Sequence, residues 1–424
     1  MPLCENLTTI YEEILRAELV PAMGCTEPIA IAYAAARARA VLGAEPERVV
    51  LTVSSNIIKN VKSVVVPNTG GLKGLEAAVA AGVAAGDADR VLEVISTVDD
   101  AGRAAIRAFL DSHPIAVRPA DSGEVFDILV ELAAGGDTVR VRITSCHTNI
   151  VLIEKNGVPL YQGAPTAEAC LPAGYDKLTV ADILAYAETA DLAPVADVLE
   201  RQIAYNTAIS AEGLTGNWGA AIGKTLLNMY GNDVKVRARA AAAAGSDARM
   251  SGCEKPVIIN SGSGNQGMTA SLPVIEYAQE LNAPHEKLLR ALALSNLLTI
   301  HLKTGIGRLS AYCGAVSAGC AAGAAIAWLN GGGYEDVAHT LVNSLAIVSG
   351  IVCDGAKPSC AAKIAAAVDA GLLGWQMYRQ GHQFYGGDGI VKKGVENTIL
   401  SVARMGREGM RDTDREIIEI MTEG

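Results

Sequence analysis

The chain has 424 residues, a formal net charge of −11, and a composition that is half hydrophobic but only 4% aromatic. A balance this acidic, with no Lys/Arg run and no alternation of basic and aromatic residues, excludes a nucleic-acid partner, which needs a basic face. The apolar mass is therefore Ala, Val, Leu and Ile, with 44 glycines beside them, and small side chains of this kind predict a tightly packed, helix-rich protein.

The N-terminus carries acids early and no long apolar run, so it is not a signal peptide, and a cytoplasmic protein is expected. Residues 7–19 read as an amphipathic helix that "PAMGCTEP" interrupts. A second helix follows over "IAIAYAAARARAVLG", with Thr26 as its N-cap and Pro28 near its first turn. "RVVLTVSSNIIKNVKSVVVP" is rich in β-branched residues and reads as strand. A glycine loop and an alanine helix come next. Residues 125–163 then read as two or three antiparallel strands, with "GGD" and "NG" at the turns.

Beyond residue 178 the texture becomes helical. The expected fold class is α+β: a mixed N-terminal half, 1–178, with a mostly antiparallel sheet, and an all-α C-terminal half, 179–424, the two sharing one core. The longest uncharged stretch, Leu309 to Tyr334, is long enough to span a bilayer. It is rich in Ala and Gly and lacks Lys/Arg anchors at its C-terminal end, so a buried helix and no membrane are expected.

Nine cysteines, an odd number in a chain without a secretion signal, argue against a disulfide framework. Cys353 and Cys360 flank "DGAKPS", where Gly and Pro let the chain curl around an object, and Lys357 adds a charge that favours thiolate. Cys313 stands upstream in "LSAYCGAV". Three thiolates can hold a cluster with one open metal position, which suits a Lewis acid for β-elimination. The spacing alone leaves plain core packing open.

"NSGSGNQG", Asn260 to Gly267, places glycine N–H groups before a helix start, a pattern that binds carboxylate or phosphate. Ser261, Gly262, Ser263, Gly264 and Asn265 are the candidate contacts, and a tight helix start is the alternative. Cys25 precedes a helix start that would lower its thiol pKa, making it a candidate base or nucleophile. His147 and Asn149 in "CHTNI", Lys59 and Asn60 in "SNIIKN", and Arg249 in "SDARM" complete the candidate polar groups. Arg249 is the one suited to clamp a carboxylate.

Taken in order, "GCTEP", "SNIIKN", "CHTNI", "EGLTGNWG", "SDARMSG", "NSGSGNQG", "RLSAYCGA" and "CDGAKPSC" resemble the L-cysteine desulfidase family, which is related to the α-chain of iron–sulfur L-serine dehydratases. The resemblance runs from about residue 10 to 420. It implies an oxygen-sensitive [4Fe–4S] cluster, no pyridoxal phosphate, and conversion of L-cysteine to pyruvate, ammonia and sulfide. It also implies Cys313, Cys353 and Cys360 as cluster ligands and Cys25 as a separate active-site cysteine, with His147 as a second candidate base. Cys146 departs from the pattern, where many relatives carry glycine. L-serine dehydration at the same cluster is the rival chemistry, and a non-enzymatic metal or redox-sensing protein is the rival of another class. The expected partner is a small amino acid, and a homo-oligomer is compatible with the chain. Cys4, Cys170, Cys253 and Cys320 are read as packing.

Overall fold

The computed structural model describes residues 5–165, 173–307 and 309–422. Its first half holds helices α1 (Glu5–Glu18), α2 (Thr26–Leu42), α3 (Ser55–Val61), α4 (Gly74–Ala85) and α5 (Asp100–Ser112). Strands β1 (Pro21–Met23), β2 (Arg48–Val53), β3 (Ile115–Pro119), β4 (Asp127–Ala134), β5 (Asp137–Thr144), β6 (Ile150–Lys155) and β7 (Val158–Gln162) lie among them. The second half holds α6 (Val180–Thr189), α7 (Ala196–Thr215), α8 (Ile222–Tyr230), α9 (Val234–Met250), α10 (Gly264–Glu280) and α11 (His285–Thr304). It closes with α12 (Gly314–Leu329), α13 (Tyr334–Val348), α14 (Cys360–Arg379), α15 (Val395–Arg404) and α16 (Arg411–Thr422), and includes a short strand β8 (Pro256–Ile258).

The six-stranded sheet has the order β3-β2-β4-β5-β6-β7, antiparallel except for the β2–β3 pair. The residue 125–163 region thus makes four strands, one more than the hydrophobic pattern suggests. Helix α2 packs on β4 and β5. Its alanines let α4 come close: a Cβ at Gly82 would stand 2.2 Å from the Ala32 carbonyl oxygen.

Two expectations are corrected. The β-branched run that reads as strand over 48–67 is strand only to Val53, and 55–61 is helix. Its apolar residues Ile57 and Val61 bury one face four positions apart, and that tertiary burial overrides β propensity. The cap of α2 is Cys25, in extended conformation, and Thr26 is already helical. The "PAM" segment also forms β1, paired antiparallel with β8. That small sheet spans the two halves and brings Cys25 beside the residue 260–263 turn.

In the helical half, α12 crosses α14 closely, since a Cβ at Gly323 would stand 2.6 Å from Gly371. Helix α12, the expected buried helix, is fully packed, and among the described residues no helix is long and apolar enough to cross a membrane. One buried apolar cluster runs from Tyr11 to Ala403 through both halves.

Candidate active site

Four helix starts border one cavity of about 100 Å³. Cys25 caps α2, Ser263 caps α10, Cys313 caps α12, and Cys360 is the first residue of α14. Each start presents the positive end of a helix dipole, so together they favour anions: thiolates and a carboxylate. The chain brings Cys313 and Cys353 together by an antiparallel bridge between Tyr312 and Val352. Cys313 N–H donates to Ile351 O at 3.1 Å and Cys353 N–H to Ala311 O at 2.6 Å. Gly355 then turns the loop at φ +89°, where a Cβ would stand 2.3 Å from the Lys59 carbonyl oxygen, and the chain returns at Cys360.

The thiols of Cys313, Cys353 and Cys360 all line this cavity and are free. Burial, reinforced by the neighbouring Cys353 and Cys360 sulfurs, pushes Cys313 up to about 12. Cys360 is raised too, by burial first and then by Cys353. Lys357 does pull the Cys360 thiol down, through its N–H and its charge, but burial outweighs it. Lys357 and Lys363 both pair with Asp354, which offsets their charge. Among the described residues no three His, Cys, Asp or Glu side chains approach closely enough to share one metal ion. Three cysteine sulfurs on one cavity are a donor set of the kind that holds an iron–sulfur cluster.

Cys25 also lines the cavity but faces a different neighbour. Its Sγ donates to Glu27 Oε2 at 2.9 Å. Burial first, then the Glu27 carboxylate, raise its pKa well above the usual thiol value, while Arg249 opposes them. The lowering expected from the helix start is outweighed, because desolvation of a thiolate exceeds a dipole contribution. His147 lines the cavity from the turn after β5, its ring edge-on to Phe126 at 4.9 Å.

Arg249, from the last turn of α9, is 2% exposed and donates from Nη1 to Asn265 Oδ1 at 3.1 Å. Gly264 makes room for it: a Cβ there would stand 2.4 Å from Arg249 Nε. Ser261, Gly262, Ser263 and Asn265 line the cavity as the motif suggests. Gly267 does not offer a free N–H, because that group bonds Ser263 O within the helix. Its smallness serves packing instead, since a Cβ would stand 2.0 Å from Ile258 O. Lys59 reaches the cavity but pairs with Asp414 of α16. Asn60 Nδ2 donates to Glu27 Oε1 at 3.1 Å. Asn149 stands apart: it lines no cavity described here, and its amide bridges the Thr144 and Ala164 carbonyls at 3.2 and 3.1 Å.

Gln266 of the same motif lines the cavity too, and sequence reasoning missed Glu27 and Lys303, both buried and both on this cavity. An acid in the first turn of a helix and a lysine in the last are commonplace in sequences, so no local signal marked them. A second cavity of about 890 Å³ shares Ser261, Lys303, Leu309 and Ser310 with the first. Cys253 and Cys320 are buried in the core, whereas Cys4 and Cys170 lie outside the described residues.

The neighbouring Asp247 shows how one motif divides its duties. In "SDARM", Arg249 faces the cavity while Asp247 faces the start of α8 and accepts from Gly223 N–H at 3.2 Å. Burial raises its carboxyl from 3.8 to about 6, against the pull of the Gly223, Ile222 and Ala220 N–H groups. A raised folded-state pKa gives stability that is full below about pH 4 and is lost as pH rises through about 6. Asp247→Asn is neutral throughout. Its melting temperature should therefore gain a few degrees on that of the wild type between pH 4 and 7, read by thermal denaturation at both ends.

Residues 76–419 match the family model described as serine dehydratase alpha chain. A UPF0597 protein of Desulfitobacterium hafniense is 61% identical over 413 residues, covering 97% of this chain and 96% of that protein. UPF0597 proteins of Lachnoclostridium phytofermentans and Finegoldia magna are 52% and 48% identical, covering 96% and 97% of this chain and 98% and 99% of theirs.

Proposed function

The chain belongs to the serine dehydratase alpha-chain family, and from that premise we propose that it is a lyase that eliminates the β-substituent of a small L-amino acid. The proposed substrate is L-cysteine, and the products are pyruvate, ammonia and sulfide. The proposed cofactor is a [4Fe–4S] cluster held by Cys313, Cys353 and Cys360. The observation that carries this reading is the single cavity where three free thiols meet a fourth of different surroundings, Cys25, and a buried arginine. A cluster bound by three thiolates supplies one iron as a Lewis acid for the leaving group.

The chain's own residues do the rest. Arg249 and the start of α10 hold the substrate carboxylate, which fixes Cα in the cavity. Ser261, Ser263 and Asn265 offer short polar contacts around it. Lys59 and Asn60 close one wall. In this reading Cys25 takes the Cα proton, and His147 is a second polar group on the same cavity. Walls this close select a three-carbon substrate, and the larger adjoining cavity gives it a way in. The aminoacrylate released by elimination hydrolyses in water to pyruvate and ammonia.

L-serine is the second reading, favoured by the description of the matching family model. The protein purified without oxygen, loaded with iron and sulfide and offered each amino acid in turn separates the two. Sulfide and pyruvate from L-cysteine support the first reading. Pyruvate from L-serine alone replaces it with the second. No product from either, with iron bound, sinks both.

A further inference from the structure

Glu27 is 8% exposed, yet it forms no ion pair among the described residues. Among the described residues its oxygens accept from neutral donors, Cys25 Sγ at 2.9 Å on Oε2 and Asn60 Nδ2 at 3.1 Å on Oε1, while Thr26 Oγ1, 3.2 Å from Oε2, gives its single proton to Gly262 O at 2.9 Å. A buried carboxylate without a countercharge is costly. The bond to Cys25 has one direction, because an ionised carboxylate only accepts and the thiol must donate. A sulfur that already carries its proton cannot take another unless that proton has somewhere to go. The geometry supplies one place, Glu27 Oε2. Both residues face the cavity that holds Arg249 and the three other thiols.

We propose that Glu27 acts through Cys25 as the final proton acceptor of the elimination. This rests on the β-elimination reading above. As the Cα–H bond breaks, its proton passes to the Cys25 sulfur while the thiol's own proton passes to Glu27 Oε2. The Cα–H electron pair becomes the Cα=Cβ bond, and the pair from Cβ to the β-substituent leaves with that group. Cys25 ends as a thiol, and Glu27 as a neutral carboxyl that returns its proton to the departing hydrosulfide or hydroxide. Asn60 holds the carboxylate in place throughout. The sequence hides this pairing, since an acid in the first turn of a helix is ordinarily a solvated dipole partner.

The test uses the iron-loaded protein prepared without oxygen and whichever of L-cysteine and L-serine it turns over. Glu27→Gln should lower kcat by about 10³-fold while KM, iron content and melting temperature stay near wild type. Glu27→Asp should recover at least a tenth of the loss on a logarithmic scale. Glu27→Ala should regain turnover with added formate, saturably, because the small carboxylate fills the vacated space. Cys25→Ser, whose hydroxyl can still pass a proton, should exceed Cys25→Ala. Wild-type kcat in Glu27→Gln, or an iron-loaded Glu27→Ala that formate leaves inert, overturns the relay and leaves the elimination reading standing. Loss of iron or of folding in all three Glu27 variants overturns it in favour of a purely supporting role. A wild-type protein inert to both amino acids removes the elimination reading and the relay with it.

Discussion

Replacing Cys313, Cys353 or Cys360 singly by serine is expected to strip iron from the anaerobically loaded protein and to lower turnover by about 10³-fold or more, the worth of about 4 kcal/mol at the transition state. The expectation follows from how the three sulfurs are held. Cys313 is fixed by its N–H to Ile351 O, and Cys353 by its N–H to Ala311 O. Cys360 is fixed at the start of α14, with its Sγ 3.6 Å from Gly355 O. No fourth described cysteine on the cavity can take over, because Cys25 is bonded to Glu27. The control is Cys320→Ala. Cys320 is more deeply buried than any of the three and lies seven residues beyond Cys313, in the core. That variant should lose stability by about 1 kcal/mol through a small cavity and keep both its iron and its turnover. Iron analysis and visible absorbance on the four variants decide. Equal loss in Cys320→Ala would mean that the cysteines act through packing, and retained iron in Cys353→Ser would remove that residue from the ligand set.

That contrast between Cys313 and Cys320 shows what a sequence can carry. Residue types and local breaks were legible: "CDGAKPSC" announces a loop that curls, and "NSGSGNQG" a helix start that needs glycine. The alternation over 127–144 was legible as strand, and the Ala/Gly runs of α2 and α12 as buried helix. What could not be read was how distant pieces meet. The β1–β8 pair spans three residues on each side, too short for any periodicity to register. It nonetheless sets Cys25 against the residue 260 turn, where Thr26 Oγ1 donates to Gly262 O at 2.9 Å. The helix at 55–61 was masked by its own isoleucines and valines, whose preference for strands yields to burial. Signs of charge also misled. Lys357 and Lys59 looked available, but Asp354 and Asp414, one local and one from the far end of the chain, engage them. The direction of the Cys25 shift failed because burial outweighs the helix start, and Glu27, two residues away, adds to it.

Arg249→Lys is expected to lower kcat/KM by about 100-fold, mostly through KM, although it keeps the charge. Arg249 is fully enclosed, and among the described residues its side chain hydrogen-bonds the neutral Asn265. Its Nε makes no hydrogen bond among the described residues. A buried guanidinium with an unused donor and no carboxylate beside it is poised for an anion, and the anion a small amino acid brings is its α-carboxylate. The planar fork binds that group through two parallel N–H donors, whereas an ammonium offers a single point. A 100-fold loss corresponds to about 2.7 kcal/mol, within the range of one charge-assisted bond left unmade in a buried site. Because Gly264 leaves no Cβ to support a shorter side chain, lysine would also fail to fill the space beside α10. A supporting role alone would predict a fall in kcat and melting temperature with selectivity unchanged. A carboxylate clamp predicts that Arg249→Lys loses most of the preference for L-cysteine over its methyl ester. Steady-state kinetics on the acid and the ester separate the two, and an unchanged ratio would release Arg249 from substrate binding.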